Sequence, residues 1–220
     1  MRLRAVVFDM DGTLFDSLEA VPMAYIATVE ELSGRKCSID DIVTNYALGP
    51  GTAMLEALLG RPCQERDLAL YHDNLRRRCS LVRIYPGIEA SLQVLTGVLK
   101  LGVFTGAGRG AAEILLGHTG LRKYFDVLVT GDDVTRPKPA PDGVLAACSA
   151  LSVLPAEAAY VGDAPADGHA ASGAGALAVA AGWGHQFDPI ARSDVAISDP
   201  ADLIDLALRA EKSTTTTGDM

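Results

Sequence analysis

The sequence predicts an α/β fold: a doubly wound, mostly parallel sheet with an α-helical domain inserted into it. Three observations lead there. Six short apolar runs rich in β-branched residues recur: RAVVFD, LKLGVFT, FDVLVTG, AAYVGD, ALAVAAG and VAIS. Helix-like stretches separate most of them, and alternating strand and helix builds a parallel sheet with helices on both faces. Between Phe15 and about Tyr85 the alternation stops, and no strand pattern is visible.

In chain order, the first run ends at Asp9 and leads into a turn at Gly12. Helical patterns follow over about 17–33, 39–47, 52–60 and 64–80, punctuated by Gly34, LGPG at 48–51 and GRP at 60–62. The reading is a core of residues 1–15 and 84–211 with a helical cap at 16–83. YPG at 85–87 marks the return to the core and the start of a new helix. The remaining runs are nearly continuous in apolar residues, as strands buried on both faces require. The tail, 212–220, is polar and low in complexity and is predicted to be disordered.

Composition narrows the function. With 49% apolar residues the chain can bury a real core. A net charge of −9 argues against a nucleic-acid or membrane surface, which needs a basic face. No apolar stretch is long enough to span a bilayer. The N-terminal run stops too early, at Asp9, for a signal peptide. Cys37, Cys63, Cys79 and Cys148 are scattered, which predicts reduced thiols and a cytoplasmic protein. A monomer or weak homodimer is the default.

The chemistry lies at the carboxyl ends of the strands, where parallel sheets place their sites. Asp9 ends the first strand and Asp11 follows it, with Gly12 permitting a tight turn and Thr13 able to tie it by a side-chain hydrogen bond. Two carboxylates about 4 Å apart repel by roughly 4 kcal/mol at an effective dielectric of about 20. A divalent cation offsets that, and an oxygen-only set favours Mg²⁺. An acidic helix cap is the simpler alternative for the pair alone. Thr105 and Gly106 follow GVF and offer a hydroxyl and an N–H to a phosphate oxygen. Lys138, between Pro137 and Pro139, puts one charge on a stiff loop. Asp163 ends another strand and Asp167 lies four residues on. Each signal alone reads as easily as a helix cap or a solvated loop. Together they supply acids, a cation site, a hydroxyl and a lysine.

In this combination the sequence resembles the haloacid dehalogenase superfamily, in the branch of phosphoglycolate phosphatase-like proteins with a helical cap. DMDGT at 9–13 is similar to its first motif, Thr105 to its second, Lys138 to its third and GDAPAD at 162–167 to its fourth. GDD at 131–133, KPAPD and AGWG at 181–184 add to the likeness. It departs from the pattern at Gly106, usually Asn, and at Ala164, often Ser. The resemblance implies Mg²⁺-dependent hydrolysis of a small phosphorylated metabolite through an aspartyl phosphate. In that scheme Asp9 is the nucleophile and Asp11 the acid/base. Mg²⁺ is held by Asp9, the carbonyl of Asp11 and Asp163. Met10, Thr105, Gly106 and Lys138 hold the phosphate, and Thr13 and Asp167 support the site. A cap loop containing Leu48, Gly49 and Thr52 selects the leaving group. Asp11 favours phosphoryl over halide chemistry, because a departing halide needs no proton.

Alternatives remain. They are a β-phosphoglucomutase-like phosphomutase, a phosphatase for a nucleoside, C-nucleoside or secondary-metabolite monophosphate, and a non-catalytic binding protein on the same fold. GAGRGA at 106–111 also fits a dinucleotide-binding pattern, but Asp126 precedes its strand where a ribose-binding acid should end one. Arg76, Arg77 and Arg78 read as a solvated helix face, Tyr46 and Tyr71 as cap core, Trp183 as packing and His185 as a loop residue.

Overall fold

The computed structural model describes residues 3–212. Its main sheet has six parallel strands: β1 (Ala5–Phe8), β4 (Lys100–Phe104), β5 (Val127–Val129), β6 (Ala158–Gly162), β7 (Leu177–Ala181) and β8 (Val195–Ile197). The spatial order is β5-β4-β1-β6-β7-β8. The chain winds outward from β1 in both directions, and this opens a crevice at the carboxyl ends beside β1. All six runs predicted as strands lie in this sheet.

Side chains alternate strictly along β1. Val6 and Phe8 join one core with α5 (Ile88–Leu95), α6 (Arg109–His118) and α9 (Asp202–Lys212). Ala5 and Val7 join the other with α7 (Asp142–Ala150) and α8 (Pro165–Ala174). Helices on both faces make the sheet doubly wound.

The strand-free gap holds α1 (Ala20–Ser33), α2 (Ile39–Val43), α3 (Gly51–Leu59) and α4 (Glu65–Arg76). Gly34, left-handed at φ 70°, ends α1. Ser38 and Asp41 form a capping box on α2. Tyr25 of α1 stacks on Tyr71 of α4 with centroids 4.1 Å apart, and Asn74 donates to Thr28 Oγ1 at 3.3 Å. The buried residues of these helices continue into the first core.

Two details differ from the sequence reading. The gap is not wholly free of strand: β2 (Phe15–Asp16) pairs antiparallel with β3 (Arg83–Ile84), tying together the two ends of the helical segment. Tyr85 N–H donates to Leu14 O at 3.2 Å beside them. The final helix also extends through Lys212, the first residue assigned to the tail, and 213–220 lie outside the described residues. Among the described residues, no helix is long and apolar enough to cross a membrane.

Phe15 is fully buried in the paired joint. Replacing it with Ala is expected to cost roughly 3–5 kcal/mol. The thermal midpoint should fall by about 6–20 °C. A shift under about 2 °C in a melt followed by circular dichroism would show the joint to be dispensable.

Candidate active site

The loop after β1 folds back on itself. Asp9 N–H donates to Val161 O at 2.8 Å, which fixes the strand end against β6. The Met10 carbonyl accepts from Thr13 and Leu14, at 3.3 and 2.9 Å, and Gly12 N–H donates to Phe15 O at 2.9 Å. Gly12 has φ +83°, and a Cβ there would collide with the Asp163 carboxylate. Only glycine allows both the turn and the approach. Met10 itself is fully buried. Thr13 reaches Asp163 Oδ1 at 3.5 Å, a weak contact, while Trp183 Nε1 donates to Thr13 O at 2.9 Å. Trp183 therefore does more than pack: it fastens the β7 loop to the β1 loop.

Lys138 lies on the loop between β5 and α7. Its Nζ is 2.6 Å from Asp9 Oδ1 and 2.8 Å from Asp167 Oδ1. Burial alone would push its pKa down, but Asp167 and Asp9 outweigh burial and hold it well above the usual lysine value. Asp167, on the first turn of α8, accepts on both oxygens: from Lys138 and Tyr160 Oη (3.2 Å) on one, and from Ala164 N–H (3.0 Å) on the other. Asp163, after β6, accepts from Gln186 N–H at 2.9 Å and has His185 Nδ1 at 4.0 Å.

Asp9, Asp163 and Asp167 each offer an oxygen, and these lie within 4.8 Å of one another. Three buried carboxyls and the half-buried Asp11 surround one lysine. Burial raises Asp9 well above the usual carboxylate range and raises Asp11 and Asp163 as well. An all-oxygen cluster with surplus negative charge fits a hard divalent cation. The Asp11 carboxylate is outside the cluster and accepts from Ser17 Oγ at 2.5 Å.

Asp9, Asp11, Thr105, Gly106, Lys138 and Asp167 line one cavity of about 590 Å³. Thr105 Oγ1 accepts from Ala107 N–H at 3.1 Å, so its hydroxyl proton is available to the cavity. Asp163 and Thr13 stand behind this wall rather than in it.

The cap loop enters differently from its expectation. Gly49 lines the cavity, but Leu48 and Thr52 do not; both are exposed. A 3-10 turn at Tyr46–Leu48 followed by Gly49 at φ 91° turns the chain so that its neighbours point outward. Tyr46 and Tyr71, predicted as cap core, both line the cavity. His185 lines it too. Arg76 pairs with Asp73 at 2.7 Å and Arg78 donates to Asn74; neither they nor Arg77 line it. Asp126 accepts from the Leu101 N–H at 3.0 Å and so serves the sheet, not a ribose.

Sequence reasoning missed Ser17, Tyr160 and Gln186. Tyr160 carried a signal, a hydroxyl in the middle of a buried strand, which must find a partner. Ser17 and Gln186 carried none.

The haloacid dehalogenase-like hydrolase profile matches residues 6–181. The chain belongs to this family. It is 32% identical over 206 residues to the phosphoglycolate phosphatase of Aquifex aeolicus, covering 93% of this chain and 96% of that one. It is 31% identical over 220 residues to the N-acetylmuramic acid 6-phosphate phosphatase of Pseudomonas aeruginosa, covering 96% and 97%. A solved HAD-superfamily hydrolase of subfamily IA from Geobacter sulfurreducens superposes with a TM-score of 0.73 at 27% identity, covering 93% of this chain and 99% of the other. The chain is thus an enzyme of the phosphatase kind.

The raised carboxyls set a sign. A carboxyl whose pKa is higher folded than unfolded binds more protons when folded, so stability falls as pH rises from the unfolded value through the folded one. A cation binding there competes with those protons. Added MgCl₂ is expected to raise the thermal midpoint more at pH 8 than at pH 5, and Asp163→Asn to remove most of that increment. A cation shift independent of pH would exclude Asp9 and Asp163 as its ligands.

Proposed function

We propose that this protein hydrolyses the phosphomonoester of a small metabolite through an aspartyl phosphate on Asp9, with Mg²⁺ as cofactor. The observation that carries the reading is Lys138 Nζ, 2.6 Å from Asp9 Oδ1 and 2.8 Å from Asp167 Oδ1, at the floor of a cavity that Thr105 and Gly106 also line. Asp9, the Asp11 carbonyl and Asp163 would hold Mg²⁺, which supplies the charge neutralisation that lets a phosphate dianion approach.

The chain's own groups do the rest. The phosphate's non-bridging oxygens take the Thr105 hydroxyl, the Gly106 N–H, the Met10 backbone and the Lys138 ammonium. An Asp9 oxygen attacks phosphorus as the bond to the leaving oxygen breaks. Asp11, its carboxyl raised by burial, is suited to deliver its proton to that oxygen. Water then attacks the aspartyl phosphate, gives a proton to Asp11 and releases inorganic phosphate and free Asp9. Asp167, saturated by hydrogen bonds, positions Lys138. Segments 1–15 and 84–211 form the catalytic core, and 16–83 acts as a cap that excludes water.

Asp9→Asn is expected to lower turnover at least about 10³-fold while the far-ultraviolet dichroism is unchanged. Asp11→Asn should give a burst of p-nitrophenolate from p-nitrophenyl phosphate and then slow turnover, because its second role, activating water, is lost. Turnover by Asp9→Asn close to that of the unaltered protein would remove Asp9 as nucleophile. Isomerised sugar phosphate accumulating in place of free phosphate would favour the mutase.

A further inference from the structure

The upper wall of the cavity carries no cation. The helical segment contributes Val21, Tyr25, Val43, Tyr46, Met54 and Tyr71 to it. Burial pushes the phenol pKa values of Tyr25, Tyr46 and Tyr71 up, so these rings add no charge. Among the described residues, Lys138 is the one lysine or arginine lining the cavity, and it is bound to Asp9 and Asp167 at the floor. His185 also lines the cavity, but beside Asp163 on the core side. The nearby arginines are engaged elsewhere: Arg61 with Asp67, Arg78 with Asn74, Arg109 with Asp133. The start of α3 brings backbone groups and no charged side chain to this side, with the Gly51 nitrogen against Gly108. Gly51 is buried there against Leu68, Tyr25 and Tyr71.

A leaving group bearing a carboxylate or second phosphate would therefore enter an apolar chamber beside Asp9 and Asp11 with no counter-charge. It would lose its hydration with no charged partner to replace it. An uncharged ring gains by burial against the same wall. The volume, about 590 Å³, is within the range that encloses a drug-sized ligand, and a two-carbon acid would leave most of it unfilled. Thr44 and Ser17, which also line it, allow for a hydroxyl or two.

We infer that the preferred ester has an uncharged, ring-sized, mainly apolar leaving group, an aromatic or alicyclic alcohol, and that esters of anionic alcohols are disfavoured. The inference rests on the phosphatase reading above and narrows it.

The test compares kcat/KM with Mg²⁺ for benzyl phosphate and 2-naphthylmethyl phosphate against phosphoglycolate and inorganic pyrophosphate, with p-nitrophenyl phosphate as the activated control. At least one ring ester should exceed phosphoglycolate by about 30-fold or more, the scale set by burying a ring. Val43 lines the cavity at the end of α2 and is 42% exposed, so a lysine is tolerated there. Val43→Lys should narrow that ratio by about tenfold or more, the scale of one added opposite charge near a leaving-group anion. Hydrolysis of p-nitrophenyl phosphate with phosphoglycolate or pyrophosphate equal to or better than both ring esters overturns the inference alone. An unchanged ratio in folded Val43→Lys overturns the upper wall as its cause. No phosphate release from any ester, the activated control included, overturns the phosphatase reading and this inference with it.

Discussion

The site depends on one buried cation shared by two buried anions. Lys138 is only 15% exposed in its side chain, Asp9 8% and Asp167 2%. Removing such charges from water costs several kcal/mol per ion, which the mutual attraction repays only in good geometry. Each partner comes from a different part of the chain: the end of β1, the loop after β5 and the first turn of α8. Loss of Lys138 leaves two uncompensated carboxylates in the interior, so the three segments must arrive together. The rings of Phe104 and Tyr160, with centroids 5.5 and 5.9 Å from Nζ, form the wall against which the ammonium sits. Tyr160 Oη lies 3.0 Å from Phe104 O and 3.2 Å from Asp167, so β4, β6 and α8 meet at one hydroxyl.

The lysine leaves negative charge over, and the rest of the site is arranged to keep that charge in place. Asp167 spends both oxygens on donors, Asp11 receives Ser17, and Asp163 receives Gln186 N–H. Backbone donors fix carboxylates without cancelling their charge. Asp163 Oδ1 has only the weak Thr13 contact at 3.5 Å, whereas both Asp167 oxygens are taken. The close packing of Gly12 and Gly184 on Asp163 holds that carboxylate to a narrow range of positions.

What the sequence disclosed follows from what forces its pattern. Strands buried on both faces must be continuously apolar, so β1, β4 and β6 stood out, and polar residues directly after them pointed to the crevice. β2 and β3 did not stand out because two residues each cannot show a period; their pairing is imposed where the chain leaves and rejoins the core. The cap was legible as helices but not as a cavity wall. Tyr71 is 2% exposed and stacked on Tyr25, so its helical spacing reads as core, and it is core that also borders a space. The family resemblance points to Leu48 and Thr52 at the cavity, whereas the turn at Gly49 decides which residue faces inward.

The same view explains a motif that pointed elsewhere. GAGRGA looks like a dinucleotide fingerprint because its small residues follow a strand and open a helix. In the folded chain its glycines answer to the protein itself. Gly106 O lies against Gly131, Gly108 lies against Asp132 and the backbone of Gly51, and Gly110 lies beneath the His72 ring of α4. Asp132 accepts from Arg109 N–H at 2.7 Å at the start of α6, where a bound pyrophosphate would otherwise seat. Small residues recur here because the helical segment comes down on α6 at this place, and side chains of ordinary size would hold it away. The spacing that suggests a cofactor is therefore the spacing that lets the cap approach Thr105 and Gly106. This ties the shape of the leaving-group chamber to the same turn that offers the phosphate its donors.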